Sequence, residues 1–329
     1  MDFSRPRVAV YYDVLPTTGW RNDGMPLWIL WNFRKILNGD TLDSLKTVGG
    51  FSDGTNVVHL SPINPTGQHG KFDLNVLVDY GEDNLGIPLD WEIPHPNAYW
   101  VADTHIDEKG YNYRLNRAKQ FDHVFLVHKG QIKDFIRDGI DHSKIHYLPV
   151  AAEPDCYHPY PIMKKWDWCF IGHLNSQHRI DLMDRFVKEF DLGDGKGYLG
   201  WRFPQIQGHN VLDDAAKKTS MSRLALNYSI KSDLNMRVME TMATGTCLLT
   251  DENEPLLELF EPGKHLLTFK TVDEAVMKAK MILQDNSLLM DIGQNGLKKV
   301  LDKHTYKHRA LEILKTSLQW EPKGEAVCC

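Results

Sequence analysis

Long apolar runs are missing from this chain of 329 residues, and none approaches the roughly 18 apolar residues of a membrane span. The opening Met1-Asp2-Phe3-Ser4-Arg5-Pro6 lacks the charged-then-apolar layout of a signal peptide. Cysteine is scarce: five residues, at positions 156, 169, 247, 328 and 329. Their odd number and lack of metal-ligand spacing suggest free thiols in a reducing cytosol. The Cys328-Cys329 pair follows a polar Glu-Pro-Lys-Gly-Glu segment and reads as a frayed tail rather than a lipidation site. Positive charge is not in excess. Lys and Arg number 38 against 44 Asp and Glu, a net charge of −6. That argues against a general nucleic-acid coat or an anionic membrane surface, while leaving room for a local basic cleft. Several catalytic signatures are absent: the Walker A lysine loop, His-Glu-x-x-His and Gly-x-Ser-x-Gly. No Asp-x-Asp occurs either, which removes the usual carboxylate handle for a metal-bound nucleotide sugar. The 15 histidines show no metal-ligand spacing, so no metal is expected. Gly195 to Gly200 matches G-x-G-x-x-G but follows a helical stretch instead of a strand, and reads as a loop.

What the chain does contain is ordinary globular composition, 42% hydrophobic and 25% charged, with length enough for two domains of about 150 residues. Arg7 to Asp13 reads as a strand, Pro16 to Trp20 as a glycine-containing loop and Pro26 to Leu37 as a helix. Residues 38 to 72 resist assignment. Strands are expected at Leu74–Tyr80, Tyr99–Ala102, His123–Val127 and Ile145–Pro149, with helices at Tyr111–Lys119 and Gln131–Arg137. Strands separated by helices imply a parallel sheet. Pro149 to Pro161 holds four prolines and marks a boundary, giving domains 1–152 and 153–329. The strand, glycine loop and helix pattern then restarts at Trp168–Ile171, Gly172–Ser176 and Arg179–Phe190. A last helix covers about 306–318.

The second half is organised around Ser232 to Thr250. This stretch reads as a helix capped by Ser232 or Asp233, a stop at Gly245, and a buried strand. Leu234, Val238 and Met242 share the core arc. Asp233, Arg237 and Glu240 fall within about 60° of one another on a different arc. Such a stripe is either a solvated ion-pair face or a grip on a ligand. A helix start carrying an arginine receives phosphate, and a carboxylate two turns in reaches a sugar hydroxyl.

Loops at strand ends supply the other candidates. Gly172 permits close backbone approach, and Arg179 follows at a helix start. With Arg237, Arg179 can hold a diphosphate without metal. Asp103 and His105 end a first-domain strand and fit a general base with its orienter, a sugar-hydroxyl contact, or a simple turn cap. Thr18 and Gly19 end the first strand and read as cleft residues or as an ordinary turn.

Leu234-Asn235-Met236-Arg237-Val238-Met239-Glu240-Thr241-Met242-Ala243-Thr244-Gly245 resembles the "LNMRxxExxAxG" signature of CgeB-like glycosyltransferases, within the large GT-B group. Glu153 to Pro159, Phe170-Ile171-Gly172 with Arg179, Glu258 to Lys264 and His304 to Arg309 resemble further segments of those enzymes in the same order. The resemblance spans about residues 150 to 315. It implies an α/β, GT-B architecture: two Rossmann-like domains across a cleft, with the last helix packing back on the first domain. It also implies that Glu240 grips the nucleotide ribose and that Arg237 and Arg179 lie near the diphosphate. Asn227, Ser229 and Asn235 would line the same site. One departure stands out: many retaining relatives carry a glutamate where this chain has Ser232. The resemblance implies transfer of a sugar from a nucleoside diphosphate to a hydroxyl acceptor with no cofactor; the missing Asp-x-Asp makes a metal-independent reaction the expectation, and the odd cysteine count without an export signal a cytoplasmic one. The acceptor can be a polysaccharide, a small molecule, a protein or a modified DNA base. A nucleotide-sugar-binding protein of the same fold without turnover is the alternative. A nicotinamide dehydrogenase rests on the glycine loops alone.

Overall fold

Strands buried on both faces of a parallel sheet read as largely apolar runs, and the observed strands do so, with Asn75, Asp79, Asn97, Thr250 and Asp251 as buried polar exceptions. Val8–Tyr11, Leu74–Asp79, Asn97–Val101 and Cys247–Asp251 are buried at every residue. In the computed structural model the described residues are 5–11, 25–41, 56–60, 71–79, 89, 92–200 and 211–322. They form two compact units. One runs to Pro149 and takes in the chain again from Tyr306, and the other is Val150–Thr305.

The first unit holds β1 (Val8–Tyr11), α1 (Met25–Leu37), β2 (Val57–Leu60), β3 (Leu74–Asp79) and β4 (Asn97–Val101). It continues with α2 (Glu108–Ala118), β5 (His123–Leu126), α3 (Ile132–Arg137) and β6 (Ile145–Tyr147). The sheet order is β2-β1-β3-β4-β5-β6, parallel throughout. β2 lies in the stretch that the sequence left unassigned. It is a short edge strand among turn-forming residues, so it carries little periodic signal. Asp107 caps α2 through the Gly110 N–H, so the helix begins at Glu108, three residues before the expected Tyr111.

The second unit holds β7 (Trp166–Ile171), α4 (Gln177–Phe190), β8 (Gly197–Gly200), α5 (Val211–Ser220) and β9 (Ser222–Leu226). After these come α6 (Met236–Ala243), β10 (Cys247–Asp251), α7 (Glu254–Leu259), β11 (Leu267–Phe269), α8 (Val272–Gln284) and α9 (Asn286–Lys303). The sheet order is β11-β10-β9-β7-β8, again all parallel. Both sheets thus repeat one plan. The second strand lies outside the first, and the chain then crosses back to build the other side.

The expected loop at Gly195 to Gly200 is corrected: Gly197–Gly200 is β8. The reason is local packing. A Cβ on Gly197 would lie 2.3 Å from Cε2 of Trp168, so the strand runs beside Trp168 only without a side chain there. The cores are separate. Trp168, Phe170, Phe186, Leu224, Leu249 and Ile292 belong to the second, and Tyr99, Phe121, Leu126 and Phe135 to the first. α10 (Tyr306–Leu318) belongs to the first unit, where Tyr306 is fully buried between Trp28 (ring centroids 5.2 Å apart) and Trp100 (6.0 Å).

Candidate functional site

In open parallel sheets, ligands bind beyond the carboxyl ends of strands, where the winding direction reverses. In the second unit that point lies between β7 and β9. The loops leaving those strands carry Gly172 and Asn227 to Ser229, and the chain then enters α6. Gly172 presents bare backbone at this point. A Cβ there would sit 3.2 Å from Cζ of Phe170 and 3.6 Å from Cζ of Arg237. The Arg237 guanidinium therefore lies against the backbone of the β7 loop.

α6 starts later than the sequence suggests. Its N-cap is Asn235, not Ser232 or Asp233. Ser232 adopts φ +53°, a left-handed conformation that turns the chain before the helix and so removes both residues from it. Asp233 consequently does not share a helical stripe with Arg237 and Glu240. Glu240 is buried, with only 3% of its surface exposed, so the reading of a solvated ion-pair face is overturned. Leu234, Val238 and Met242 are buried as expected. Gly245 adopts φ +71° just past the helix, as its position predicts.

Behind α6, a polar network joins the ends of β9 and β10. Asp251 accepts from the Ser229 N–H at 2.7 Å, from the Ser229 hydroxyl, and from the Thr250 hydroxyl at 3.2 Å. Asn227 Nδ2 donates to Thr250 Oγ1 at 2.9 Å, and Asn235 Nδ2 donates to Asn227 Oδ1 at 3.3 Å. Asn227, Ser229 and Asn235, separated in sequence, are thereby brought together. Thr250 and Asp251 were missed by the sequence reading. Their signal was a polar pair closing an apolar run, at the strand end where a parallel sheet presents its ligands.

Arg179 takes a structural post in the same crevice. Its Nε donates to the Tyr228 carbonyl at 2.7 Å and its Nη1 to the His173 carbonyl at 3.1 Å. It pins the β7 loop to the β9 loop. Burial lowers its pKa, and the carboxylates of Asp233 and Asp251 push the other way. His178, one residue earlier on α4, donates from Nε2 to the Ser229 carbonyl at 2.8 Å. Two neighbouring residues thus hold one loop, and of the pair only Arg179 was singled out from sequence.

In the first unit, Asp103 and His105 follow β4. Asp103 has φ +54°, and its carbonyl accepts from Arg114 Nη1 at 3.0 Å. Arg114 also pairs with the buried Asp79 at the end of β3, with Nε 3.4 Å from Oδ1. The Tyr99 hydroxyl donates to the other Asp79 oxygen, and burial together with Asp79 holds its pKa well above the usual value. This buried triad fixes the turn that carries Asp103 and His105. The His105 ring lies 3.9 Å, centroid to centroid, from that of His128, which follows β5. Burial, then His105 and Arg114, push the His128 pKa down to about 3, so its imidazole is neutral. His128 was not foreseen; it replaces nothing periodic and becomes legible only when β4 and β5 pair. Thr18 and Gly19 lie outside the described residues. No helix among the described residues is long and apolar enough to cross a membrane.

Residues 189–315 match a family model described as glycosyl transferase-like. No curated protein sequence matches the chain. Sucrose-phosphate synthase from Thermosynechococcus elongatus superposes with TM-score 0.58 at 14% identity, over 75% of this chain and 73% of that one. Anabaena Alr3699/HepE, solved with UDP and glucose, gives TM-score 0.62 at 11% identity, over 96% and 100%. A putative UDP-N-acetylglucosamine 2-epimerase from Listeria monocytogenes gives TM-score 0.55 at 10% identity, over 99% and 100%. The chain therefore has the α/β fold of GT-B glycosyltransferase structures, two Rossmann-like parallel-sheet units, and its second unit carries most of a sequence match to a glycosyl transferase-like family.

Proposed function

We propose that this protein is a CgeB-like glycosyltransferase that moves a sugar from a nucleoside diphosphate to a hydroxyl acceptor. The observation that carries the reading is the crevice of the second unit. There a side-chain-free Gly172 lies against the Arg237 guanidinium, and Glu240 is buried further along the same helix. Arg237 and the N–H groups at the start of α6 stabilise the leaving diphosphate as negative charge develops on it. Glu240 accepts from ribose hydroxyls. Arg179, committed to two carbonyls, contributes by shaping the site. His105 takes the acceptor proton, and Asp103 sets the turn that holds it. The donor is bound by the second unit and the acceptor by the first. The lack of Asp-x-Asp supports a metal-independent reaction, with charge borne by arginine and helix N–H groups. The buried free thiols Cys156, Cys169 and Cys247 suit a reducing cytosol.

The bound UDP and glucose of the HepE structure make uridine nucleotides the first donors to try. Calorimetric titration of UDP and UDP-glucose, alongside the adenosine and guanosine counterparts, tests the donor site. One nucleotide should bind, and Arg237→Ala with Glu240→Ala should weaken it at least about tenfold. Absence of binding by every nucleotide at millimolar concentration sinks the donor reading. Turnover of labelled nucleotide sugars, unchanged by a chelator, separates the metal-independent enzyme from a binding protein of the same fold. That alternative draws on Ser232, which leaves the sugar without the carboxylate many retaining relatives supply.

A further inference from the structure

His123 opens β5, and His146 stands in the middle of β6, the strand at the edge of the first sheet. The two strands pair in parallel with Phe125 opposite His146. Side chains alternate along a strand, so His123, Phe125 and His146 share one face of the sheet. The other face of β5 carries Val124 and Leu126, which pack with Phe135 and Ile145. On the histidine face the His146 ring leans on Phe125, with centroids 5.0 Å apart, and His123 Nδ1 lies 3.2 Å from His146 Nε2. Both histidines are half-buried. An imidazole nitrogen bound to zinc lies about 2.0–2.1 Å from the metal, which at the tetrahedral angle sets two such nitrogens about 3.3–3.4 Å apart. The pair therefore has the spacing of a chelate, and two adjacent strands of one sheet hold it there. A hydrogen bond between neutral rings has a similar length but uses one N–H and one lone pair, whereas a metal uses two lone pairs. When a cation replaces the shared hydrogen, the donor ring gives that proton to water and takes one up at its outer nitrogen, so both rings stay neutral. Burial favours this state by pushing both pKa values down.

We propose that His123 and His146 bind a divalent transition-metal cation of the zinc class, which clamps the edge strand β6 to β5. Two imidazoles suit zinc, nickel or copper(II), whereas magnesium and calcium ask for oxygen ligands. Water fills the remaining coordination positions, which half-burial allows. The charged groups beside the pair are Asp122, which favours a cation there, and Lys144, which opposes it. Both are held by other partners. Asp122 accepts from the Asn97 N–H at 3.0 Å and pairs with His95 at 2.8 Å, and Lys144 Nζ donates to the Phe121 carbonyl at 3.3 Å. The clamp acts where the sheet is weakest. β6 has three residues and a single neighbouring strand, and the first unit breaks off two residues later, at Pro149. The inference stands apart from the nucleotide-sugar reading: His123 is at the start of β5, while His105 and His128 follow the ends of β4 and β5. The two histidines are 23 positions apart, so no metal-ligand spacing marks them in the sequence.

The test is calorimetric titration of the whole chain, stripped of metal by a chelator and dialysed, with zinc chloride. Zinc should bind saturably at micromolar concentration, and millimolar magnesium should not displace it. His123→Gln and His146→Gln should each weaken this binding at least about tenfold. His142→Gln, which removes an exposed histidine from the turn before β6, should leave it unchanged. In the natural protein, zinc should slow hydrogen exchange of the β5 and β6 amides and shift the ring nitrogen resonances of both histidines. Absence of saturable binding up to millimolar zinc overturns the proposal, as does binding that survives both substitutions at full strength. Should either variant fail to fold, the ring resonances of the natural protein decide: if zinc leaves those of His123 and His146 unmoved, the site is not there.

Discussion

Single residues in this protein take their roles from what they face after folding, and arginine shows it best. Arg179 and Arg237 looked equivalent in sequence, each near a helix start. In the structure Arg179 is spent on the carbonyls of Tyr228 and His173, while Arg237 lies against Gly172. His128 is the parallel case in the first unit. A histidine that is neutral when folded but titrates normally when unfolded makes stability depend on pH. Its pKa is about 3 folded and near 6.5 unfolded, so only the unfolded chain binds this proton between those values. Stability is therefore lost as pH falls from about 6.5 towards 3. Replacing His128 by Gln should flatten that decline, and melting temperatures of both proteins from pH 7.5 to 4 measure it. Parallel profiles would show that His128 titrates normally in the fold.

At the scale of elements, two glycines on α9 let neighbouring backbones come close, one of them just past the end of α6. A Cβ on Gly293 would lie 2.4 Å from the Gly245 carbonyl oxygen, and one on Gly296 would lie 2.5 Å from that of His265. Neither neighbour is a flexible side chain, so neither yields cheaply. Gly293→Ala should cost about 1–3 kcal/mol through overpacking, read from chemical unfolding. It should also weaken nucleotide binding, because the end of α6 must move; unchanged binding would show that α6 is not held from behind. The α/β alternation was legible because strands buried on both faces read as apolar runs, such as Cys247–Asp251. β2 and β8 were not legible: one is a short edge strand, and the other has glycine at both ends. The cap of α6 was misplaced by two or three residues because the left-handed Ser232 has no sequence signature.

The whole molecule is two units of one plan, and the first is not contiguous in sequence. Its last helix returns after the second unit is complete. Tyr306 anchors that return between Trp28 and Trp100. Tyr306→Ala should cost the first unit about 3–5 kcal/mol by leaving a cavity at a fully buried aromatic site. Hydrogen exchange should show the loss in β3, β4 and α1 while β9 and β10 stay protected; uniform loss in both units would show that they unfold together. The sequence by itself determined the alternation of strands and helices, the glycine stop at Gly245 and the identity of Arg237 and Glu240 as candidates. The first two follow from local periodicity and turn chemistry; the third follows from the resemblance of Leu234 to Gly245 to a glycosyltransferase signature. Only the tertiary structure decided that Arg179 is a staple, that Glu240 is buried, and that Asp251 and Thr250 join Asn235 in one network. Those outcomes depend on which strand ends become neighbours in a parallel sheet, and parallel neighbours are joined by crossovers too long for any local pattern to span.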